Sequence, residues 1–217
     1  MKYRIVYIDE SDAWLNTFYQ TFKADFDITR IKVSEGSTID SLLKEIFESE
    51  PDGVVTDYLL DEEGQVDFNG NKIVDAIRNI KPHFPITMLT SYEPQAINHM
   101  DDVHIINGKS DLDGESEEAL QILKAKIKHD IDSFYRKISS TQALIEGLVK
   151  KKNESVLNPE EEEELTKLFI LMDELEPEGK EIRVSLIKTE SITKLNDFVI
   201  ETREILDELR KRSKNNE

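Results

Sequence analysis

Tyr3-Arg4-Ile5-Val6-Tyr7-Ile8 leads into Asp9-Glu10, and Gly53-Val54-Val55-Thr56 leads into Asp57. Two further short apolar runs follow: Ile86-Thr87-Met88-Leu89 before Thr90-Ser91, and Val103-His104-Ile105-Ile106 shortly before Lys109. Runs this short, rich in Val and Ile and separated by helical patterns, predict parallel strands of an α/β sheet. In open sheets of this kind ligands bind outside the carboxyl ends of the strands. The pattern therefore gathers three carboxylates (Asp9, Glu10, Asp57), the hydroxyl of Thr90 and the ammonium of Lys109 into one crevice.

The segments between the runs fit that sheet. Ser11 or Asp12 can cap a helix carrying Trp14, Phe18 and Phe22 at helical spacing. Ile28 to Val33 alternates as a second strand, and Thr38 to Glu48 predicts a helix with Leu42, Leu43, Ile46 and Phe47. Pro51-Asp52-Gly53 turns the chain into the third strand. Gly70 to Ile80 predicts a helix with Ile73, Val74, Ile77 and Ile80 on one face, closed by Pro82 and Pro85. Five such units predict a doubly wound, five-stranded parallel sheet occupying residues 1–114.

From about Glu115 the strand signals stop, and residues 115–217 are expected to form an all-α second domain. A long helix over 115–152 carries Ile127, Phe134, Thr141 and Leu148 at heptad spacing, interleaved with Ile131, Ile138 and Ile145. This Ile127–Leu148 seam suits a homodimer, and it suits packing within one chain equally well. Asn158-Pro159 followed by acids predicts a helix over 159–176, with Leu165, Leu168, Phe169, Met172 and Leu175 as its buried stripe. Pro177-Glu178-Gly179 breaks it, and a third helix is expected over 191–212.

The 217 residues carry a formal net charge of −18, and both halves are acidic. A field of that sign repels polyanions, so nucleic acid is not an expected partner. Lys150-Lys151-Lys152 reads as a solvated helix end. The absence of cysteine excludes a disulfide framework, a thiol nucleophile and Cys-ligated metal sites. No stretch approaches the roughly 20 apolar residues that span a bilayer, and the N-terminus lacks a signal-peptide pattern. No membrane association is expected, and the expected location is cytoplasmic.

Asp, Thr and Lys at strand ends are ordinary capping and loop residues when taken singly; in this order, after four strand patterns, they point to chemistry. Three clustered acids cannot all stay ionised without a cation, and Mg²⁺ is the natural counter-charge. Such an ion would align a phosphoryl group for in-line attack by an Asp57 oxygen. Lys109 can pair with the acids beforehand and with phosphate oxygens afterwards. The Thr90 hydroxyl can follow the phosphoryl group and pull its loop along.

Residues 3–112 resemble the receiver domain of two-component response regulators. The resemblance is carried by Val6-Tyr7-Ile8-Asp9-Glu10, Asp52-Gly53-Val54-Val55-Thr56-Asp57, Gly70 with Ile77-Arg78, Pro85 through Ser91, and Lys109. It implies a phosphoacceptor role for Asp57, a switch role for Thr90 and phosphate binding by Lys109. It also implies Mg²⁺ held by Asp9, Glu10, Asp57 and the backbone carbonyl of Leu59, with a histidine kinase or phosphotransfer protein as donor. The chain departs from the family at Ile106, where an aromatic is usual, and at Ser110, where proline is usual. It departs again in the long loop with Asp61, Glu62, Glu63 and Asp67, read as a solvated segment or as extra metal affinity.

The expected function is therefore a response regulator that signals through a helical protein-interaction or dimerising output to a downstream protein. It is a switch rather than an enzyme. One alternative is a phosphorylation-independent scaffold or adaptor binding a partner protein. Another is a phosphotransfer protein using His129, since Lys128-His129-Asp130-Ile131 loosely resembles the phosphorylated box of kinase dimerisation helices. A haloacid-dehalogenase-like phosphatase is disfavoured because Leu59 stands where such enzymes place a second acid.

Overall fold

Strand β1 (Arg4–Asp9) sends Ile5 and Tyr7 to one face of a sheet and Val6 and Ile8 to the other, and all four are buried. A strand buried on both faces is the mark of a parallel sheet covered by helices on each side. In the computed structural model, which describes residues 2–61, 65–112 and 116–176, that is the arrangement found. The chain alternates β1, α1 (Asp12–Phe22), β2 (Asp27–Lys32), α2 (Ile39–Glu48), β3 (Gly53–Asp57), α3 (Gly70–Ile80), β4 (Ile86–Thr90), α4 (Glu93–His99) and β5 (Ile106–Gly108). Among the described residues two further helices follow, α5 (Glu117–Glu154) and α6 (Pro159–Leu175). All strand pairs are parallel, in the order β2-β1-β3-β4-β5. The expected doubly wound α/β fold followed by helices is thus what the chain forms.

The strand order reverses between β1 and β3, which makes their carboxyl ends the switch point where a ligand crevice opens. Val6, Ile8, Val54 and Met88 pack against Leu42 and Ile46 of α2 and Ile73, Val74 and Ile77 of α3. On the other face Ile5, Tyr7, Val55 and Leu89 pack against Leu15, Phe18 and Phe22 of α1 and Leu120, Leu123, Ile127 and Ile131 of α5. The first part of the heptad seam therefore covers the sheet. Tyr135 adds a polar tie, donating to Asp52 Oδ1 (2.6 Å), while Asp52 Oδ2 accepts from Arg4 N (2.7 Å).

The chain divides into two compact units, residues 1–144 and 145–217. The division falls inside α5, whereas the sequence reading places it at 114/115. The heptad repeat looks the same whether its partner is a helix or a sheet, so spacing alone does not locate the boundary. In the second unit Ile145 is buried with Leu157, Leu165 and Leu168, and Leu148 packs against them. Helix α6 starts at a capping box: Asn158 Oδ1 accepts from Glu161 N (2.9 Å), and Glu161 Oε2 accepts from Asn158 N (3.1 Å). Its first turn also meets α5 through an ion pair between Lys151 and Glu161. The helix expected over 191–212 lies outside the described residues.

Two local readings differ. The run Val103–Ile106 reads as a strand, but Val103–Ile105 forms a 3₁₀ turn, and β5 is only Ile106–Gly108. Asp102 is the reason: its carboxylate accepts from His104 N (3.1 Å) and also holds Arg78 (2.6 Å), which bends the chain before the sheet. The short α4, begun by Pro94 and burying only Ala96, has too few apolar positions to show as a periodic pattern.

Candidate functional site

Asp9 closes β1 and Asp57 closes β3, and the two strands are direct neighbours in register from Ile5↔Gly53 to Ile8↔Thr56. That register alone sets the two carboxylates side by side. Glu10 follows Asp9, and carboxylate oxygens of Asp9, Glu10 and Asp57 all lie within 4.8 Å of one another. Lys109, at the end of β5, reaches between the two aspartates: its Nζ is 2.8 Å from Asp9 Oδ2 and 3.0 Å from Asp57 Oδ2. Only 3% of Lys109 is exposed, so these ion pairs are shielded from water.

Each carboxylate is further oriented. Asp57 Oδ1 accepts from Tyr58 N (2.7 Å). Asp9 Oδ1 accepts from Ser11 N (2.9 Å), and Asp9 Oδ2 accepts from the hydroxyl of Tyr7 as well as from Lys109. Glu10 Oε2 is buried without a hydrogen-bond partner among the described residues. An orphaned buried carboxylate oxygen carries a large desolvation cost, and a cation in the cluster would remove it.

The electrostatics agree. Burial pushes Asp57 up to about 6, helped by the charge of Asp9 and opposed by Lys109. Burial and the charge of Asp9 push Glu10 up to about 7. Burial alone would lower Lys109, but the flanking carboxylates of Asp57 and Asp9 outweigh it and hold the ammonium above its ordinary range. The Tyr7 hydroxyl is likewise held protonated by burial and by Asp9. One ammonium against three acids leaves the site short of positive charge, and a hard divalent cation with oxygen ligands fits that deficit.

Gly70 fixes how closely α3 approaches the site. A Cβ at this position would lie 1.9 Å from the backbone oxygen of Asp57, so only glycine permits the contact, and Gly70 N donates to Tyr58 O (2.7 Å). Asn69 turns the intervening loop by accepting from Leu60 N (3.0 Å). Leu59 is half-buried in that loop and packs against the core. Glu62 and Glu63 lie outside the described residues, and Asp67 is exposed.

Thr90 is fully buried one residue beyond the Asp57↔Leu89 pairing, and its Oγ1 accepts from Tyr92 N (2.9 Å) at the entry to α4. Tyr58 makes a second link to α4: next to Asp57 in sequence, its hydroxyl lies 3.1 Å from His99 Nδ1. The structure thus pairs Lys109 with Asp9 and Asp57, gathers Glu10 into the same cluster, and leaves the Thr90 hydroxyl engaged with its own loop. His129 stands apart, exposed on α5 near Ser133.

Sequence reading missed Tyr7, Trp14 and Tyr58. For Tyr7 a signal existed, since residues two apart on a strand share a face and Tyr7 precedes Asp9 by two. Trp14 has its ring centroid 5.0 Å from Lys109 Nζ, a contact that needs the fold before it can be seen.

No protein-family model matches the sequence, and no curated protein matches it. Among solved structures, the BeF3-activated DrrB receiver domain is 16% identical, with 61% of this chain and 99% of that chain covered and a TM-score of 0.44. A response regulator receiver protein from Sinorhizobium medicae is 22% identical, with 60% and 95% covered and a TM-score of 0.44. The chemotaxis response regulator CheY4 of Vibrio cholerae is 15% identical, with 58% and 99% covered and a TM-score of 0.44. Among the described residues no helix is long and apolar enough to cross a membrane.

Proposed function

We propose that this chain is a response regulator that accepts a phosphoryl group on Asp57. The observation that carries the reading is the buried constellation itself: Asp57 paired to Lys109 at 3.0 Å, beside Asp9 and a Glu10 oxygen without a partner. Asp9, Glu10 and Asp57, with the carbonyl of Leu59, would hold Mg²⁺, which when bound neutralises phosphoryl charge.

Asp57 is the nucleophile. Tyr58 N holds one of its oxygens and Lys109 the other, which fixes the plane of the carboxylate. One carboxylate oxygen forms a bond to phosphorus, the P–N bond of a phosphohistidine breaks, and its electron pair stays on the imidazole, which takes up a proton. Lys109 follows the charge onto the phosphoryl oxygens. Water later cleaves the aspartyl phosphate, returning inorganic phosphate and the carboxylate. The chain is a signalling switch, and its chemistry is confined to this self-modification.

The Thr90 hydroxyl, released from Tyr92 N, donates to the new phosphoryl group and draws the start of α4 with it. Tyr58 and His99 tie the other end of α4 to the same aspartate. A histidine kinase or phosphotransfer protein supplies the phosphoryl group, and the helical region passes the signal to a protein partner. Dimerisation through the Ile127–Leu148 seam is not part of the proposal, since Ile127, Ile131 and Ile145 are already buried within the chain.

Intact-protein mass after incubation with acetyl phosphate and Mg²⁺ tests the reading. One added phosphoryl group is expected in the wild type and none in Asp57→Ala. No gain in the wild type would turn the assignment toward a constitutive scaffold.

A further inference from the structure

Tyr7 sits at a position where β1 is otherwise apolar, yet its side chain ends in a hydroxyl with 0% of the residue exposed. The ring has no freedom to turn away: it stacks on Phe18 at 4.1 Å between centroids, and Phe18 stacks on Phe22 at 4.3 Å. This aromatic column carries the hydroxyl to Asp9 Oδ2. Asp9 then meets three donors from three directions: Tyr7 from within the sheet, Ser11 N from the following loop and Lys109 from just beyond β5.

We infer that Tyr7 is a positioning residue for the cation of this site, fixing the plane of the Asp9 carboxylate so that the cluster favours Mg²⁺ over Ca²⁺. The inference rests on the metal reading given above and deepens it. Without the hydroxyl, Asp9 keeps Ser11 N and Lys109 but is free to tilt toward the ammonium. A rigid carboxylate matters most for Mg²⁺, which demands near-octahedral geometry at short distances, and matters less for Ca²⁺, whose shell is larger and adaptable. Groups that orient metal ligands in this way are worth about 10–100-fold in affinity.

The test is calorimetric titration of the full chain with MgCl₂ and, separately, CaCl₂. Tyr7→Phe keeps the ring and its stacking and removes one oxygen. It is expected to weaken Mg²⁺ at least about tenfold and Ca²⁺ less than about threefold. Should that variant not fold, the wild-type titrations carry the test, since a site that binds Ca²⁺ as tightly as Mg²⁺ overturns the inference. A general loosening of the site would weaken both ions alike, and that result overturns the inference, as does an unchanged Mg²⁺ affinity. Wild-type protein that binds neither ion would sink the metal reading and Tyr7's role with it, whereas wild-type binding with an unaffected variant sinks only the role of Tyr7.

Discussion

Replacing Asp57 by asparagine removes a charge that the metal-free protein holds at a cost. Burial lifts this carboxyl from 3.8 to about 6 in the folded chain. A gap of about two pH units corresponds to roughly 3 kcal/mol by which ionised Asp57 disfavours folding near pH 8. The opposing pull of Lys109 is already contained in that shift, so asparagine, which avoids the charge, should gain up to roughly 3 kcal/mol. For a chain of this size that raises Tm by up to about 6–12 °C in EDTA. The sign follows from proton counting. Between about pH 4 and 6 the folded state keeps a proton on Asp57 that the unfolded state has lost, so wild-type stability falls as pH rises through this window. The advantage of Asp57→Asn should therefore be about half its full size at pH 5, where only the unfolded wild type is ionised, and full at pH 8. Saturating Mg²⁺ should shrink or reverse it, because the carboxylate then has a cation to bind. Thermal unfolding at the two pH values, with EDTA or Mg²⁺, is the assay. A variant less stable than wild type at pH 8 in EDTA would mean that the Lys109 pair outweighs burial, and a gain independent of pH would remove Asp57 titration as its cause.

Lys109→Met should destabilise the metal-free first unit by roughly 3–5 kcal/mol, since it leaves two buried aspartates without their shared partner; Mg²⁺ should restore part of this in the same melting experiment. Gly70→Ala should cost roughly 3 kcal/mol or more, because its Cβ meets the backbone of Asp57 and not a side chain that can turn aside; chemical denaturation and the rate of phosphorylation by acetyl phosphate should both register it. Asn158→Ala, which opens the capping box of α6, should cost about 1 kcal/mol, visible as faster amide exchange in α6 with exchange in β1 and β3 unchanged.

The fold and the acids of the site were legible for one physical reason: a parallel strand buried on both faces must be a short apolar run, and the first acid that follows it marks the carboxyl end of β1 and of β3. Asp9 and Asp57 stand out on that basis, and Thr90 and Lys109 follow from their own runs. Where another force sets the conformation the pattern misleads, as at Val103–Ile105, where Asp102 caps a turn that apolar content alone would extend into β5. The long helix shows a second limit. Residues recurring at three and four along a helix record one apolar face but not what covers it, and Ile127 and Ile131 cover a sheet. Tyr7 shows a third: a tyrosine on a core strand reads as bulk, and only its reach to Asp9 makes the oxygen matter.

Trp14 is the chain's single tryptophan, and its half-buried ring lies 5.0 Å from the ammonium of Lys109. All indole emission from this protein therefore originates beside the lysine that pairs with Asp57. Any event that moves that ammonium or changes its counter-charge alters the field across the ring. The fold carries its own optical probe, so site occupancy can be followed continuously in stopped flow, on unlabelled protein with no engineered fluorophore.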